Sequence, residues 1–146
     1  MCIIIDANVA SKVFALSPAK DPRAVIDWVD FGGGKMVLGG RLKQEIFKVG
    51  LASRWIKERI RSGKIKWVSD RDIDSEEKKL KKSGACNSND YHIIALARCC
   101  TARILYSHDK KLQQDFTNSE LVNNPRGAIY TTARHCQHLL TTDRCP

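Results

Sequence analysis

The sequence predicts an α/β fold in which a parallel sheet is covered by helices on both faces, and three observations lead there. Short apolar runs alternate with longer amphipathic segments along the whole chain, as strands and helices do when they follow one another in turn. Two of those runs, Cys2-Ile3-Ile4-Ile5 and Ile104-Leu105-Tyr106, have no polar interruption and read as buried strands. The sequence has no internal repeat and no low-complexity segment. At 146 residues and 42% hydrophobic content, it has the length of one domain, 1–146, burying roughly two-thirds of its unfolded surface.

The elements follow in order. A strand at 2–5 leads into a helix over 8–16, and Pro18 with Asp21-Pro22 marks the break before a helix at about 23–30. Gly32-Gly33-Gly34 closes that helix. The run 35–38 is the second strand, and Gly39-Gly40 opens the helix carrying Glu45, which Gly50 ends. A basic helix is expected near 51–62, and a short strand within 64–69, where Ile65 and Trp67 alternate with polar neighbours. The charged stretch 72–82 predicts an exposed helix. After the turn-rich 83–89, Ser88 or Asn89 is placed to cap a helix bearing Asp90 and running to about Cys100. The strand 103–107 then feeds a helix containing Asp109, Leu112 and Phe116. A loop at 123–127, a last strand at 128–131 and a short helix complete the chain.

Composition narrows the class. No run approaches the ~18 apolar residues of a membrane span, and Asp6 stands where a secretory leader would carry a basic region, so a cytoplasmic protein with no membrane contact is expected. Six cysteines occur without a CxxC pair or matching histidine spacing, which predicts structural thiols in a reducing compartment. The formal charge of +9, from 25 Lys and Arg against 16 Asp and Glu, favours a polyanionic or acidic partner. Part of that excess lies in Arg54, Lys57, Arg59 and Arg61, candidates for nucleic-acid contact, and a second run spans 78–82; solvated helix faces are the plainer account of both.

Four acids carry the functional argument. Asp6 and Asp109 lie just beyond the carboxyl ends of buried strands, the edge where open α/β sheets place their sites. Glu45 shares a helical stripe with Leu42, Ile46 and Val49, and Asp90 with Ile93, Ile94 and Ala97, so both carboxylates are expected to point inward. An unpaired carboxylate away from water is costly, and no fixed partner is evident beside each one. If the four converge, a divalent ion must offset their repulsion, and an all-oxygen set suits Mg2+ or Mn2+, as one or two ions.

The combination Ile3-Ile4-Ile5-Asp6-Ala7-Asn8, Glu45 after the second strand, Ser88-Asn89-Asp90-Tyr91-His92-Ile93-Ile94-Ala95-Leu96-Ala97 and Ser107-His108-Asp109 resembles the PIN domain family over essentially the whole chain. That resemblance implies a three-layer α/β/α sandwich and a metal-dependent nuclease. Asp6, Glu45, Asp90 and Asp109 match the family's acidic positions, Ser107 its small hydroxyl residue, and Asn8 a frequent polar position that could equally cap the first helix. It further implies an endoribonuclease, with RNA favoured over DNA because small stand-alone members commonly act as toxins, a cognate antitoxin as partner, and a homodimer. The alternatives are a nuclease of an antiviral defence or DNA-processing system with its own partner protein, and a non-catalytic nucleic-acid-binding module.

Asp115 lies about 120° round the helix from Asp109 at 3.6 residues per turn, which disfavours direct ligation and favours a supporting or capping role. His108 reads as a surface residue, and His92 as facing away from Asp90. Lys12, Lys43, Arg98 and Lys110 are near the acidic motifs and could hold phosphates. Trp28 and Trp67 are expected in the core, whereas Trp55, among basic residues, could touch a nucleic acid or partner.

Overall fold

In the computed structural model, which describes residues 1–143 and 145, five strands form one sheet: β1 (Cys2–Ile5), β2 (Lys35–Leu38), β3 (Ile65–Trp67), β4 (Ala102–Tyr106) and β5 (Ala128–Tyr130). They lie in the order β3-β2-β1-β4-β5, and every neighbouring pair is parallel. Parallel pairs need crossovers, and among the described residues eight α-helices supply and cover them: α1 (Ala7–Val13), α2 (Lys20–Phe31), α3 (Gly40–Phe47), α4 (Ala52–Ile60), α5 (Asp70–Ser83), α6 (Tyr91–Cys99), α7 (Lys110–Thr117) and α8 (Ala133–Cys136). The result is a three-layer α/β/α sandwich. Residues of β1 and β4 are wholly buried, and their side chains meet those of α1, α3, α6 and α7 in one hydrophobic core.

The strand order places the site. From β1 the chain builds outward through β2 to β3, then returns across the sheet by way of α5 and α6 to start β4 on the other side of β1. Crossovers leaving β1 and β4 therefore head in opposite directions, and a crevice opens above the carboxyl ends of those two strands. Ile5 is in register with Tyr106, so the next residues, Asp6 and Ser107, stand side by side at its rim.

Local chemistry fixes the approach to this rim. Between β2 and α3 a Cβ on Gly39 would lie 2.6 Å from Ile73 Cδ1, and Gly40 takes φ +51°, so two glycines are needed where the chain turns tightly under α5. Ser69 caps α5 by accepting the Asp72 N–H, and Gly84 ends it in the left-handed conformation. The first helix stops at Val13 instead of reaching residue 16, because Ser17-Pro18 forces extended backbone soon after.

Two expectations are corrected. Cys2 is not a free thiol: it forms a disulfide with Cys145, Cα atoms 5.0 Å apart, tying the start of β1 to the end of the chain. The pairing joins positions 143 apart, which no local spacing reveals; Cys86, Cys99, Cys100 and Cys136 are free. Trp28 is buried as expected, but Trp67 is 42% exposed, at the end of the short edge strand β3 with Lys43 Nζ 5.4 Å from its ring.

Candidate metal centre

Three of the four acids occupy N-cap positions: Asp6 of α1, Asp90 of α6 and Asp109 of α7. This corrects the placement of Asp90 and Asp109 inside helices. It also explains how the carboxylates are tolerated, because the partial positive charge of a helix N-terminus favours an anion at its first turn. Asp6 and Asp109 cap helices that start beyond the ends of β1 and β4, and Asp90 caps α6 at the end of the loop that follows α5, so two strand-to-helix junctions and one helix-to-helix junction supply the three acids.

Ser107, 1% exposed, organises that edge. Its hydroxyl donates to Asp6 Oδ2 at 2.7 Å while accepting from Asn8 Nδ2 at 3.3 Å and from the Asp109 N–H at 3.1 Å. A hydroxyl has one proton and two lone pairs, so all three contacts are used and its proton is committed to Asp6. Asn8 Oδ1 accepts the His108 N–H at 3.4 Å, and the Asp6 N–H donates to Tyr106 O at 3.0 Å, so the β1 and β4 ends are tied together by side chain and backbone.

Asp6 and Asp90 make no cap hydrogen bond to their helices, whereas Asp109 Oδ1 accepts the Leu112 N–H at 3.1 Å. Burial pushes the Asp90 carboxyl above the ordinary range, and the negative charges of Asp6 and Asp109, with a proton shared with Asp109, push it the same way; His92 opposes them. Asp90 thus senses both Asp6 and Asp109, and among the described residues none of the three has an ion-pair partner. Glu45 differs. Its side chain is 29% exposed, with Oε1 2.9 Å from Arg41 Nε and Oε2 3.5 Å from His92 Nε2, so it stands at the edge of its apolar stripe with its charge already offset. Arg41, four residues earlier, was a legible partner on the helix surface.

His92 is the residue that sequence reading missed. It does not face away from the acids: it lies between Glu45 and Asp90, is 4% exposed, and neither ring nitrogen has a hydrogen-bond partner among the described residues. The signal was present, since His92 directly precedes a run that is apolar and buried from Ile93 to Ala97. Asp115, fully buried, takes no place among the acids; its two oxygens accept the Asn87 and Ser88 N–H groups, both at 2.8 Å. Ser88 Oγ in turn accepts the Asp90 N–H at 3.3 Å, so Asp115 positions Asp90 through the loop before it.

The basic strip on α4 is partly spent within the chain. Arg59 forks onto Asp30 at 2.9 and 2.8 Å, contacts Glu58 at 2.7 Å, and lies 4.5 Å above the Trp55 ring, itself packed on Phe14. Arg54 pairs with Glu58 at 3.4 Å. Lys57 and Arg61 are left as its exposed cations without an ion pair among the described residues.

The donor chemistry fits a hard divalent cation: carboxylate oxygens at one edge, no counter-cation on three of them, and helix N-termini behind. Among the described residues no group of three or more His, Cys, Asp or Glu is already drawn together as a metal site, so an ion would have to draw the carboxylates inward. Fold and site together define an α/β protein with an acidic centre at the sheet's switch point. No protein-family model matches the chain, and no curated protein matches it. No helix among the described residues is long and apolar enough to cross a membrane.

Proposed function

We propose that the chain is a PIN-like nuclease, a divalent-metal-dependent endonuclease whose substrate is RNA. The observation that carries this reading is the meeting of Asp6, Asp90 and Asp109, without counter-cations, at the crevice above β1 and β4. Asp6, Asp90 and Asp109 would hold Mg2+ or Mn2+, and Glu45 would join them by exchanging its Arg41 contact for the ion. The bound ion would supply a nucleophilic water near neutral pH and neutralise charge on the phosphoryl oxygens.

The chain's own groups have definable tasks. Ser107 keeps its proton on Asp6 Oδ2, which leaves Oδ1 as the free ligand atom. The Leu112 N–H holds Asp109 Oδ1, which fixes the carboxylate beside Asp90. His92 Nε2 approaches Glu45 Oε2 to 3.5 Å and, when protonated, would act on it as a positioning residue. The choice of RNA rests on the resemblance to small stand-alone family members, and a toxin role with a cognate antitoxin belongs to the same analogy.

Cleavage of matched single-stranded RNA and DNA, with Mn2+ or Mg2+ and with a chelator, tests the reading against the Asp6→Asn variant. Metal-dependent RNA cutting, lost in the variant, is expected. DNA cutting alone would favour a defence or DNA-processing role, and no cutting of either would leave a binding module.

A further inference from the structure

Beside the acidic centre, on its β5 side, lies an open groove of about 740 Å³, within the about 300–1,000 Å³ of small-ligand sites. We propose that this groove is a nucleotide subsite, taking the base, sugar and flanking phosphate of a single-stranded nucleic acid next to the phosphodiester at the acidic centre. The inference rests on the nuclease reading for its role, but on separate residues for its geometry.

The groove has the two surfaces that a nucleotide needs. Ala15, Pro18, Ala19, Pro22 and the Tyr106 ring give it an apolar floor, and Lys12 and Lys110 stand at its margin. Both lysines are exposed, and neither has an ion-pair or hydrogen-bond partner among the described residues, so both ammonium groups are available to a phosphate. Asp21, the acid among the lining residues, is engaged by the Ala133 N–H at 2.9 Å. The net sign of the lining is therefore positive, opposite to that of the adjacent centre.

Position links the groove to the centre. Asn8 bonds Ser107 and the His108 backbone, and Lys12 lies one helical turn further along α1, about 5–6 Å on. Lys110 follows Asp109 directly. The same two elements, α1 and the β4-to-α7 junction, therefore carry carboxylates on one side and ammonium groups on the other. His108 stands between the two regions: it is exposed, and its ring meets Tyr106 edge-on at 6.1 Å and 83°, which holds one face open for a base to stack upon. A metal-holding centre repels a polyanion until it is loaded, and adjoining cations offset that repulsion for the nucleotide that follows.

The test is anisotropy of a fluorescein-labelled single-stranded RNA ten-mer on the full chain in the cleavage-blocked Asp6→Asn background, with Mg2+, over a series of salt concentrations. The Lys12→Ala, Lys110→Ala pair should weaken binding and flatten the salt dependence by roughly 1.4, two contacts at about 0.7 each for single strands. His108→Ala should lower affinity about fivefold or more at unchanged salt slope. Lys57→Ala with Arg61→Ala removes equal charge elsewhere and should move affinity less. Lys12, Lys57, Arg61, His108 and Lys110 are all exposed, and thermal melts confirm that each variant folds.

Unchanged affinity and slope in the Lys12, Lys110 variant would overturn the groove, as would displacement of the RNA by a polyglutamate peptide but not by unlabelled RNA. The nuclease reading fails separately. A chain that binds through Lys12 and Lys110 but never cuts keeps the groove and loses the nuclease, whereas cutting with binding indifferent to the lysines does the reverse.

Discussion

Replacing Asp115 by asparagine should damage both stability and the acidic centre, although the residue is fully buried and touches no candidate ligand. Its carboxylate accepts two backbone N–H groups, from Asn87 and Ser88, at 2.8 Å each. Asparagine keeps one acceptor and turns an NH2 towards the other N–H, so one charge-assisted bond is lost and a donor is left buried. That costs about 2–4 kcal/mol, given roughly 1.5–3 for a bond to a charged group and the penalty of an unpaired donor. For a chain of this size the melting temperature should fall by about 5–15 °C. Because Ser88 then holds the Asp90 N–H, cleavage by the folded variant at low temperature should also fall, while binding of RNA in the groove changes little. Thermal unfolding by circular dichroism reads the first effect and the nuclease assay the second. A melting temperature within about 1 °C of the unsubstituted chain would refute the reasoning, since losing a buried charged hydrogen bond cannot be nearly neutral.

Asp90→Asn should stabilise the metal-free chain while abolishing cleavage. Burial, Asp6 and Asp109 hold the folded Asp90 above its ordinary value of 3.8, so the stability tied to its proton is present in acid and lost as pH rises through the folded value. The variant's advantage in melting temperature should therefore be small near pH 4, grow towards pH 7, and shrink when Mn2+ is added; an advantage that grows in acid would contradict this. Arg59→Ala should cost about 1–3 kcal/mol through loss of the Asp30 fork and the Trp55 contact, yet leave the salt slope of RNA binding almost unchanged. Titration of the denatured chain with a thiol reagent should find the four thiols of Cys86, Cys99, Cys100 and Cys136 before reduction, and six would refute the Cys2–Cys145 pairing.

The sequence by itself determined the architecture. The mainly apolar stretches 2–5, 35–38 and 103–107 read as strands, and because helical segments separate them, parallel pairing followed. It also singled out Asp6 and Asp109, since a strand end is a local feature. Hydrophobic periodicity served less well for Asp90, because a residue at i and a residue capping the helix that starts at i+1 share nearly the same spacing to Ile93, Ile94 and Ala97; the backbone angles that separate the two are not written in the pattern. Strand order was the step that only tertiary structure could decide. That β4 lies against β1, and not beyond β3, sets Ser107 on Asp6 across 101 positions and makes a crevice between them. The same long-range packing gave Asp115 its buried role under residues 87–88, brought His92 to Glu45, joined Cys2 to Cys145 and spent Arg59 on Asp30. Each of these depends on which segments meet in space, and chain-local chemistry carries no record of partners that distant.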